Sequence, residues 1–106
     1  MYTLVETPVF QRYAAEIWNE AELMEFKFWL AANPLIGDVI PGASGLRKVR
    51  WSRAGIGKRG GARVVYFNQL ANGVIALLIV YTKAKFDNLP SEFLARLKKE
   101  FEDGQA

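Results

Sequence analysis

Eight consecutive apolar residues, Val74 to Tyr81 (VIALLIVY), can form a strand only if both of its faces are covered. The run falls far short of the roughly 20 residues that a membrane-crossing helix needs. Asn72-Gly73, just before it, is a turn signal. The chain is therefore read around one central strand with layers on either side. Ala62–Asn68 (ARVVYFN) is rich in β-branched and aromatic residues and supplies a neighbouring strand. Leu46–Trp51 supplies another, its alternation placing Leu46, Lys48 and Arg50 on one face and Arg47, Val49 and Trp51 on the other. Strands that follow one another in sequence favour antiparallel pairing, so the second half reads as a meander.

The first third is read as a strand running into two helices. Tyr2–Glu6 alternates, and Thr7-Pro8 offers an N-cap followed by a proline at the first helical position. Phe10, Tyr13, Ala14, Ile17 and Trp18 recur at helical spacing, and Asn19 with Glu22 is a capping-box pair that opens a second helix ending at Asn33-Pro34. From Pro34 to Gly45 the proline and glycines predict a loop. Beyond Asn88-Leu89-Pro90, the residues Phe93, Leu94, Leu97 and Phe101 line one face of a last helix over Ser91–Asp103.

With 106 residues, of which 51% are hydrophobic, the chain has enough apolar surface for one self-sufficient domain, 1–106. It has no cysteine and no histidine, which removes thiolate nucleophiles, imidazole bases and most transition-metal sites. Glu16, Glu20, Glu22 and Glu25 read as a solvated helix face rather than metal ligands, so no metal or cofactor is expected. Met1–Phe10 lacks the cationic run and apolar core of a signal peptide, which predicts a cytoplasmic location.

The net charge of +3 hides a marked asymmetry. Between Val39 and Phe86 there are nine cations (Arg47, Lys48, Arg50, Arg53, Lys58, Arg59, Arg63, Lys83, Lys85) and no acid. Such a stretch attracts a polyanion, above all nucleic-acid phosphates. Lys48, Arg50 and Arg63 should crowd one rim of the sheet. There a lysine surrounded by like charge is poised to accept a proton, and arginines can brace a developing phosphorane. The competing reading is that strand cations only guard an edge against aggregation. Ser52–Gly61 (SRAGIGKRGG) has the glycines for an anion-binding nest carrying Arg53, Lys58 and Arg59, but it fails the GxxxxGK[ST] pattern and also reads as a long solubilising loop. Trp51, Tyr66 and Tyr81 have rings that could stack on bases or pack in the core. Lys83 and Lys85 leave the central strand with the outward parity of Tyr81 or form a solvated pair.

Three blocks carry a resemblance: Gly37-Asp38-Val39-Ile40-Pro41-Gly42, then Gly45-Leu46-Arg47-Lys48-Val49-Arg50, then Gly57-Lys58-Arg59-Gly60-Gly61-Ala62-Arg63-Val64-Val65-Tyr66. In this order and spacing the chain resembles the toxin component of type II toxin–antitoxin pairs, the RelE superfamily and its HigB-like branch. The resemblance implies an α+β fold in which a small antiparallel sheet packs against an N-terminal helical hairpin, with a C-terminal helix. It also implies a metal-independent, ribosome-dependent mRNA endoribonuclease that inhibits translation. The message in the ribosomal A site is cut by its own 2′-hydroxyl attacking the adjacent phosphate. Lys48 and Arg50 match the base and phosphate-contact positions, and Arg63 matches the arginine that stabilises the developing charge. Where relatives carry a further arginine after the last strand, Ala84 stands between Lys83 and Lys85; the general acid is then sought among Lys83, Lys85 and Tyr81. Arg47, Arg53, Lys58, Arg59, Lys85, Trp51 and Tyr66 are the expected RNA or ribosome contacts. The implied partners are the ribosome, its mRNA and a helix-turn-helix antitoxin, with no membrane. A non-catalytic RNA or ribosome binder, or a ParE-type gyrase inhibitor on the same fold, are the alternatives.

Overall fold

The structure, a computed structural model, describes residues 2–43, 45–51 and 61–104. The elements run β1 (Thr3–Glu6), α1 (Pro8–Ile17), α2 (Glu20–Ala32), β2 (Asp38–Val39), β3 (Arg47–Trp51), β4 (Ala62–Gln69), a 3₁₀ turn (Leu70–Asn72), β5 (Val74–Thr82) and α3 (Ser91–Gly104). The sheet order is β1-β5-β4-β3-β2. The meander expected from the second half is present: β2 through β5 pair antiparallel. Two features depart from the sequence reading. Asp38–Val39, expected within a loop, forms a two-residue strand against β3, and β1 joins β5 in parallel, so the sheet is mixed. Both depend on pairings between distant segments, which local patterning does not encode.

β5 has the two-sided burial that its composition demands. Ile75, Leu77 and Val80 enter a cluster with Phe10, Trp18, Phe26 and Leu30 from the first two helices. Ala76, Leu78, Ile79 and Tyr81 enter a second cluster with Leu94 and Leu97 of α3. An irregularity between Val65 and Tyr66 brings Leu78 and Ile79, neighbours in sequence, into the same cluster. Gly73, at φ 67°, makes the turn into β5 in a conformation that side-chain-bearing residues rarely adopt.

The helix ends follow from local chemistry. The Thr7 hydroxyl accepts from the Phe10 N–H at 3.1 Å and donates to the carbonyls of Leu77 (3.0 Å) and Leu78 (2.9 Å), so the cap of α1 is also tied to the centre of the sheet. Asn19 and Glu22 form the reciprocal capping box at 2.8 and 3.0 Å. β1 pairs only with Val74–Leu77 of β5. Farther along β5, α1 takes its place: Phe10 and Ala14 enter the first cluster while Val9 and Tyr13 touch the second.

Candidate nucleic-acid interface

Strand parity and register determine which cations meet. Lys48 and Arg50 alternate with the buried Val49, so they share a face of β3. Arg50 lies directly across from Arg63 on β4, and Arg63 in turn across from Tyr81 on β5. Like charges directly opposite each other destabilise a sheet by about 0.2–1 kcal/mol, so this pairing is a local conflict of the kind found at functional sites. Lys83 approaches from the turn after β5, and together Lys48, Arg50, Arg63 and Lys83 line one open cleft of about 350 Å³. Arg63 is steadied by donating from Nη1 to the Asp87 carbonyl at 3.2 Å.

Asp38, Asp87 and Asn88 complete the cleft wall. Sequence reasoning did not single them out as site residues. The signal was nonetheless present: the two aspartates are the residues that border the acid-free stretch on either side, and folding brings both borders to the basic cleft. Asp38 gets there because β2 pairs it opposite Lys48. Its approach is fixed by a dense latch. The buried Tyr66 hydroxyl accepts from the Gly37 N–H at 2.9 Å and donates to the Pro34 carbonyl at 3.0 Å, which also receives Asn68 Nδ2 at 2.8 Å. A Cβ at Gly37 would lie 2.8 Å from that hydroxyl and 3.1 Å from the Lys48 carbonyl, so the close approach requires glycine.

Other expected contacts are placed elsewhere. Arg47 points to the opposite face and spends its guanidinium on the carbonyls of Gly37 (2.7 Å) and Leu35 (3.3 Å), bracing the same latch. Tyr66 is fully buried, and burial pushes its phenol above the usual tyrosine range, partly offset by the Gly37 hydrogen bond and the nearby Arg47 charge. Trp51 packs edge-on against Trp18 and Phe26. Tyr81 is also buried, set edge-on to Phe86 beneath the cleft; burial raises its pKa and the Arg63 charge partly offsets this. Tyr66 and Tyr81 therefore belong to the core, while Trp51, half-buried at the end of β3, turns its ring onto the helical side of the sheet. Lys85 turns away to Glu16 at 3.3 Å and lies over the Tyr13 ring. Arg53, Lys58 and Arg59, with the Ser52–Gly61 nest, lie largely outside the described residues.

The cleft gathers four cations and two carboxylates around a solvent-open floor, which suits a phosphodiester flanked by groups able to move protons. Among the described residues, no group of three acidic side chains is placed to hold a metal ion. No helix among them is long and apolar enough to cross a membrane.

No family model matches the chain. Among solved structures, it is similar to a free-state double mutant of the E. coli toxin RelE, with a TM-score of 0.53 and 16% sequence identity over 81% of this chain and 87% of that one. The mixed sheet, the preceding helical pair and the final helix thus make up a RelE-like α+β fold.

Proposed function

We propose that this protein is a type II toxin of the HigB-like branch that cleaves messenger RNA on the ribosome and thereby stops translation. The observation that carries the reading is the convergence of Lys48, Arg50, Arg63 and Lys83 on one cleft of a RelE-like fold. The RNA supplies its own nucleophile. Lys48 is assigned the proton of the 2′-hydroxyl as that oxygen attacks the adjacent phosphorus. Arg50 and Arg63 stabilise the charge gathering on the non-bridging oxygens. Lys83, on the opposite wall, protonates the departing 5′-oxygen, leaving a 2′,3′-cyclic phosphate and a 5′-hydroxyl end. No metal enters this scheme. The proposed setting is the cytoplasm, with a helix-turn-helix antitoxin as regulatory partner.

Primer extension on messages from cells induced to express the chain tests this reading. Codon-phased cuts that vanish with Arg63→Ala, together with relief of growth arrest, are the expected result. Intact messages with salt-sensitive ribosome binding would instead establish a non-catalytic binder, and intact messages with a DNA-damage response would establish a gyrase inhibitor.

A further inference from the structure

At the opposite end of the sheet from the cleft, the outer edge of β1 is unpaired. Thr3 N–H donates to the Gly73 carbonyl at 2.8 Å and Thr7 N–H to that of Leu77 at 3.2 Å, which fixes the parity of the parallel ladder. Thr3 and Val5 therefore bond inward to β5, and the N–H and C=O groups of Leu4 and Glu6 point away from the sheet. No other described backbone group meets them.

Grooves flank this edge on both faces. On the side of the first two helices, Leu4 faces Met24 and Phe28 across a groove of about 210 Å³. Met24 is 47% exposed and Phe28 68%, one helical turn apart on α2. On the other side, Val5 faces Leu97 and Phe101 of α3 across a groove of about 520 Å³. A row of free backbone donors and acceptors between two apolar grooves is the recognition surface of an extended strand, whose alternate side chains fall to either side. With Glu6 bound to Lys27 at 2.8 Å, Glu100 is left as the uncompensated charge on the wall of the α3-side groove and favours a basic flank.

We infer that β1 is a docking edge for an extended segment of another polypeptide: about four apolar residues, alternating between the two grooves and bordered by lysine or arginine. A second copy of this chain fits poorly, because its own β1 (TLVE) ends in an acid and has no cation to meet Glu100. The inference is independent of the nuclease reading, since β1 pairs with Val74–Leu77, at the opposite end of β5 from Lys83 and the cleft.

Amide hydrogen exchange on the full-length chain, followed by NMR, tests it. The probe is an eight-residue peptide of four alternating valines and isoleucines between paired lysines. The expected result is exchange slowed roughly tenfold at Leu4 and Glu6, as for a newly formed hydrogen bond, with no change at the inward-bonded Thr3 and Val5. N-methylation of alternate peptide amides should abolish the effect. Glutamate flanks should weaken it at low salt, as should Phe28→Ser, an exposed substitution whose folding is checked by circular dichroism. The inference is overturned if millimolar peptide leaves Leu4 and Glu6 unprotected, if N-methylation makes no difference, or if sedimentation shows the chain alone dimerising with the same amides protected.

Discussion

Arg63 sits where three constraints meet: it faces Arg50 across one ladder and Tyr81 across the other, and it donates to the Asp87 carbonyl. Arg63→Ala is expected to lower single-turnover cleavage on the order of 10²–10³-fold, the usual loss when a donor to developing charge is removed. The relief of like-charge repulsion against Arg50 offsets the lost hydrogen bond, so urea unfolding should move by less than about 1 kcal/mol. Activity and stability then separate at one residue. Gly37 behaves in the opposite way. Gly37→Ala drives a Cβ into the Tyr66 hydroxyl and the Lys48 carbonyl, and should cost about 1–3 kcal/mol in the same unfolding experiment. The two buried phenols set an alkaline limit. Their folded pKa values lie above the unfolded one, so their contribution is fully present below the ordinary tyrosine range and is lost as pH rises from there through the raised folded values. Stability should fall above roughly pH 10, and Tyr81→Phe should make that decline shallower.

At the level of elements, what the sequence made legible was what neighbours in the chain decide. Thr7-Pro8 and Asn19 with Glu22 marked helix starts through side chains that satisfy backbone groups a turn away. Asn19→Ala should accordingly destabilise the chain by about 1 kcal/mol, as measured by thermal unfolding. Lys48 and Arg50 could be assigned to one face because strand parity is strict. The pairing of Asp38 with Lys48 and of β1 with β5 could not be read, because each joins segments that only the finished sheet brings together. The fate of Arg47 was hidden for a similar reason: parity placed it away from Lys48, but nothing in the pattern announced the carbonyls of Leu35 and Gly37.

Across the whole molecule, charge is sorted by position. Four cations converge at one margin of the sheet, while most acids ride on the helices. The distribution was plain from the sequence; that its two bordering aspartates would fold into the basic margin was not. RNA affinity should fall steeply with salt, and Lys83→Ala should reduce the slope of log affinity against log salt by about 0.7, the single-strand value for one phosphate contact, in a filter-binding titration. Thr7 has a consequence at this scale. One hydroxyl joins the end of the first strand, the start of the first helix and the middle of the longest strand, so it works as a rivet through three plates. With valine in its place the three would lose that common pin and be held together by the β1 ladder and the buried Phe10 and Ala14.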